Sequence, residues 1–193
     1  MSHVECTKQK IRTILSHSAV PEDPIHAENT FNWLLRLEPE ADIALQIAAL
    51  GHDVERAIEE RRIQKRLYTD FDVFKAAHAH NSAEIMKEIM TACEVPQYIA
   101  DEVCRLVRRH ETGGDARSDL LRDVDSISFF DVNLPLYYER NGREETLRRS
   151  IWGYRRISQR RKNALSNIVY KHSELNVLLK DVIPMDPSDH TGA

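Results

Sequence analysis

Apolar residues recur along this chain mostly at intervals of three and four. No stretch alternates β-branched and polar residues between turn signals, so the pattern predicts an all-α fold. Ile11, Ile14 and Leu15 form the inner stripe of a first helix over Val4 to Ser16. Pro21 and Pro24 then predict an extended loop, because the residue before a proline is driven out of the helical region. A second helix is expected from Ile25 to Leu37, stopped by Pro39. A third is expected from near Pro39 to Gly51, with Ile43, Ile47 and Leu50 on one side. Glu59 to Arg66 is strongly charged and reads as solvated. Asp70 or Asp72 can cap a helix through Phe74, Ile85 and Ile89, and Pro96 opens another that ends before Gly113 and Gly114. Asp119 to Tyr138 and Glu144 to Leu179 supply the last helices, interrupted by Pro135 and by an Asn141-Gly142 turn.

Composition narrows this without changing it. With 193 residues, 41% of them hydrophobic and 30% charged, the chain suits one medium core and excludes collagen and low-complexity disorder. A single domain is expected over 1–183, with Pro184 to Ala193 reading as a disordered tail. The longest apolar run, Ile43 to Leu50, falls far short of the ~20 residues needed to cross a bilayer. The first twenty residues mix charged and apolar positions, so no secretion signal is expected. Cys6, Cys93 and Cys104 are an odd number at unrelated spacings, which predicts reduced thiols in a cytoplasmic protein. The net charge of −4 argues against a nucleic-acid partner. Charge is uneven, however: Arg148 to Lys162 carries seven basic residues and no acidic one. That segment suits a small phosphorylated partner.

The chemistry sits in the nine histidines. His52-Asp53 directly follows the apolar stretch Ile47 to Leu50, so a nitrogen and an oxygen ligand stand at the buried end of a core helix. His26 shares a partly apolar face with Thr30 and Trp33. His110 closes the row Ile99, Val103, Leu106. His78 and His80 are about 200° apart on a helix, so only one faces inward. His78 shares its face with Phe74, Ser82 and Ile85 and is the inward one. Periodicity does not choose between Asp123 and Asp125.

A His, a His-Asp pair and a distant Asp, in that order on helices, resemble the HD superfamily of metal-dependent phosphohydrolases. Asp23-Pro24-Ile25-His26 is similar to the family's first ligand helix and Ala48-Ala49-Leu50-Gly51-His52-Asp53 to its namesake motif. Leu121-Arg122-Asp123-Val124-Asp125 is similar to its last motif. The likeness covers about 21–131 as a metal-binding core, with further helices over about 144–180. It implies an HD-like helical bundle with the metal at its centre, and it selects Asp125 as the ligand. His26, His52, Asp53 and Asp125 would then hold a first divalent ion of Mn, Fe, Co or Ni. His78, four residues before Ser82, and His110 would hold a second ion or act on the substrate. Val54-Glu55-Arg56 after the pair matches no named subfamily, and the Gly-Tyr-Pro motif of cyclic-dinucleotide phosphodiesterases is absent from the sequence.

The function this implies is hydrolysis of a small phosphorylated metabolite, a nucleotide being the first to test, by attack of metal-bound hydroxide. His78 and His110 would be catalytic, with Arg56 supplying positive charge and Arg155 and Arg156 binding substrate. The same ligands would serve a di-iron oxygenase of this superfamily, and a non-catalytic ligand-binding module is a third reading.

Overall fold

The computed structural model describes residues 1–182; the predicted tail lies outside the described residues. Eight α-helices form the described chain: α1 (His3–Leu15), α2 (Glu22–Leu37), α3 (Ile43–Gly51), α4 (Phe71–Ala92), α5 (Gln97–Arg109), α6 (Ala116–Ser128), α7 (Leu134–Arg156) and α8 (Ser173–Val182). No strand occurs among the described residues, as the three-and-four spacing predicts. Backbone contacts divide the chain into two compact units, Met1–Val124 and a second that begins at Asp125.

In the first unit α3 is the central element. Ile47, Ala48 and Ala49 are wholly buried, and α1, α2 and α5 all pack against this short helix. Its small residues allow that approach: a Cβ on Gly51 would collide with the Met86 side chain on α4. Ile11, Leu34, Met86, Val103 and Leu106 complete the interior from the surrounding helices. Acidic caps set the starts. The Asp42 side chain accepts from the Leu45 amide at 3.0 Å, and Asp70 from the Asp72 and Val73 amides at 2.7 and 3.0 Å. Asp70 is therefore the cap of α4. Between α3 and α4 the charged run forms two short 3₁₀ turns, Glu59–Arg61 and Lys65–Leu67, with no buried residue in either.

Three sequence expectations are corrected here. The loop expected at Pro21 to Pro24 is instead the first turn of α2, which starts at Glu22; Pro24 stands where the helix has no use for its missing N–H. The third helix starts at Ile43, not near Pro39, because Asp42 caps it. The cysteines are not all reduced: Cys6 and Cys93 form a disulfide, with Cα atoms 5.7 Å apart, and only Cys104 is a free thiol. Packing of α1 on α4 brings together two residues 87 apart in sequence, which no local spacing reveals. The ground for expecting a reducing compartment is thereby removed. His3 begins α1 and donates from Nδ1 to the Cys93 carbonyl at 2.8 Å.

In the second unit, Phe129–Asn133 widens into a π-turn between the end of α6 and α7. Pro135 sits in the first turn of α7 rather than breaking the helix. Gly142, with φ at +72°, kinks α7 where the Asn141-Gly142 turn was expected. The long final helix expected up to Leu179 ends instead at Arg156, because Ile157 is extended, and a 3₁₀ stretch Gln159–Asn167 precedes α8. α8 packs on α7, and the Tyr170 hydroxyl donates to the Phe130 carbonyl at 2.7 Å. No described helix is long and apolar enough to cross a membrane.

Candidate metal centre

The buried end of α3 delivers the first two groups. His52 is the residue that caps α3, wholly buried, and Asp53 follows it at the entry to a 3₁₀ turn over Val54–Ala57. Helix α2 contributes His26, α4 contributes His78, and the end of α5 contributes His110, each 6% exposed or less.

These side chains converge. Asp53 Oδ1 lies 2.8 Å from His78 Nε2, 3.5 Å from His110 Nε2 and 3.8 Å from His52 Nε2. His26 Nε2 lies 3.3 Å from His52 Nε2. Bonds of about 2.0–2.2 Å place neighbouring ligand atoms of one ion roughly 2.8–3.6 Å apart. Three of these four separations fall in that range, and Asp53, His78 and His110 form a group able to hold a metal ion.

The outer nitrogens are committed elsewhere. His52 Nδ1 donates to the Ala49 carbonyl at 3.0 Å, and His110 Nδ1 to the Val107 carbonyl at 2.7 Å. His78 Nδ1 donates to Glu55 Oε1 at 2.6 Å. Each bond fixes the tautomer that turns Nε2 inward, the arrangement a metal-binding imidazole requires. Imidazole nitrogen with carboxylate oxygen suits first-row transition ions better than calcium. The residues could therefore hold a metal ion.

The same convergence governs the charges. Burial pushes the Asp53 carboxyl upward, but the surrounding His52, His78 and His110 outweigh it and hold it well below the ordinary carboxylate range. Burial opposes protonation of His78 and His110. Asp53 and Glu55 overcome it for His78, and Glu111 and Asp53 for His110, raising each to about 9. Protonated His78 and His110 thus balance the Asp53 carboxylate, and a bound cation would take over that role as the imidazole protons leave.

Arg56 reaches this carboxylate from outside, 3.2 Å from Asp53 Oδ2 and 3.1 Å from Asp23 Oδ1. The sequence reading missed Asp23, whose carboxyl burial pushes up against the opposing pull of Arg56. It also missed Glu55 and Glu111. Glu111 Oε1 lies 3.3 Å from His110 Nε2 and is paired with Lys75. Both glutamates follow directly on ligand-bearing helix ends, where helical periodicity has stopped. His78 is buried and His80 exposed, as the face argument predicts.

Asp123 is wholly buried in the first unit. Asp125 opens the second unit on α6, and within that unit Arg156 Nη2 lies 3.3 Å from its Oδ2. Arg155 is exposed, and the Arg156 guanidinium stacks 4.6 Å from the Trp152 ring.

No curated protein and no solved structure matches the chain. Over residues 5–178 the sequence matches the family model described as a domain of unknown function, DUF4202, and the chain belongs to that family.

Proposed function

We propose that the chain is a metal-dependent phosphohydrolase acting on a small phosphorylated metabolite. The observation that carries this reading is the convergence of three imidazole Nε2 atoms on Asp53 Oδ1, with every outer nitrogen already bound. The resemblance to the HD superfamily supports it, since the same residues form that pattern in order. His26, His52 and Asp53 would hold the first ion, with Asp125 added by the sequence pattern alone. His78 and His110, sharing Asp53, would hold a second.

A bound divalent ion would supply Lewis-acid charge and acidify water near neutral pH. The protein's own groups do the remaining work. Asp53, turned toward three imidazoles, keeps the ligand shell together. Arg56 is a third exposed, so it is placed to meet a phosphate oxygen while Asp23 and Asp53 hold its guanidinium in position. With a single ion, His78 and His110 would instead move a proton to the leaving group. Arg155 and Arg156 enter the proposal as substrate-binding residues through their place in the basic segment.

A carboxylate shared by three imidazoles also suits the di-iron oxygenase reading, so the test separates the two. Protein loaded with Mn²⁺ or Co²⁺ is assayed against nucleotides, sugar phosphates and aryl phosphates, and iron-loaded protein is followed for oxygen uptake. Metal-dependent phosphate or pyrophosphate release is the expected result. No release, with substrate-dependent oxygen uptake, overturns hydrolysis in favour of oxygenation.

A further inference from the structure

Glu55 belongs to neither the ligand set nor the sequence motif, yet its wholly enclosed carboxylate makes two well-formed hydrogen bonds that serve different ends. Oε1 accepts from His78 Nδ1 at 2.6 Å, and Oε2 accepts from the Ile63 amide at 2.7 Å. Asn81, one turn beyond His78 on α4, donates to the Arg61 carbonyl at 2.6 Å and lies 3.4 Å from Glu55 Oε2. The charged segment between α3 and α4, with Arg61, Arg62, Lys65 and Arg66, is thus fastened at Ile63 and at Arg61 to the groups beside the ligand helix. Two N–H donors meet two carboxylate oxygens. An amide at this position has one acceptor oxygen and satisfies only one of them.

We propose that Glu55 is a positioning residue with two functions: it sets His78 for metal ligation and latches the basic 58–67 segment against the site. With Nδ1–H held by a carboxylate, the imidazole ring is fixed, Nε2 is the ligand atom, and its basicity rises. The His78 function rests on the metal reading above. The latch stands on the hydrogen bonds at Ile63 and Arg61 alone.

Three variants of the full chain separate the two functions: Glu55→Gln, Glu55→Ala and Asn81→Ala. Each is titrated with Co²⁺ by visible absorption and digested with trypsin under native conditions, and far-UV circular dichroism verifies the helical fold. Both Glu55 variants are expected to bind Co²⁺ about 10–100-fold more weakly and to be cut faster between Arg61 and Arg66. Asn81→Ala is expected to be cut faster while binding Co²⁺ like wild type. Wild-type affinity in both Glu55 variants overturns the positioning function. An equal loss of affinity in Asn81→Ala overturns it as well, because the effect then travels through the segment. Unchanged cleavage in both Glu55 variants overturns the latch. A wild-type chain that binds no Co²⁺ overturns the metal reading and the His78 function together, and cleavage still decides the latch.

Discussion

Reducing the Cys6–Cys93 disulfide tests how α1 is held. The bond closes a loop of 87 residues' separation, almost the whole span from α1 to the end of α4. Chain-entropy reasoning gives a stabilisation of about 4–5 kcal/mol at 25 °C for a loop of that length. That is a large part of the roughly 5–15 kcal/mol by which domains of this size are stable. Ile11 and Leu15 are buried by packing that does not involve the bond, so reduced protein is expected to keep its helices at room temperature and to melt earlier. The expected fall in Tm is about 10–20 °C. Calorimetry with and without reductant measures it, and a Cys6→Ser/Cys93→Ser variant reproduces it. A thiol count in denaturant fixes the starting state: one reactive thiol per chain, from Cys104, before reduction and three after. Three thiols before reduction would refute the pairing. An intact bond whose removal moves Tm by less than about 3 °C would refute the loop-closure argument.

Three further outcomes follow from the structure. Ile47→Ala, in the middle of α3 and wholly buried, should cost about 2–5 kcal/mol in denaturant unfolding; a cost near zero would mean α3 is not the interior. Asp70→Ala should cost about 1 kcal/mol, since two amides at the start of α4 lose their acceptor; an unchanged midpoint would contradict that cap. Hydrogen bonds from Arg117 hold Asp42 below the usual carboxylate range, and those from Arg105 and Arg117 do the same for Glu102. A depressed carboxyl contributes stability above its unfolded pKa of about 4, and that contribution is lost as pH falls through the lower folded value. Arg117→Gln should therefore be less stable than wild type at pH 6, with the difference shrinking as pH falls below about 4, and a difference that does not shrink in acid would reject this origin.

Much of the site was legible because helical periodicity reports burial. His78 was separable from His80 because Phe74, Ser82 and Ile85 share its face, and His52-Asp53 stood out at the end of an apolar run. Legibility stopped where that periodicity stops. Glu55 lies on a 3₁₀ turn and Glu111 just past the end of α5, so no stripe points to either. Pro24 read as a breaker because the signal for one is the same whether a proline precedes a helix or sits in its first turn. The Cys6–Cys93 contact is set by the packing of α1 on α4, which depends on the whole interior.

Metal content of the purified chain, beside Asp53→Asn, tests the central claim most directly. The asparagine keeps the volume of Asp53 but removes the charge toward which His52, His78 and His110 turn. Elemental analysis after loading with Mn²⁺ or Co²⁺ and desalting should find one or two equivalents in wild type and close to none in Asp53→Asn, with the same helical spectrum. Equal metal in both, or none in wild type, would contradict the account.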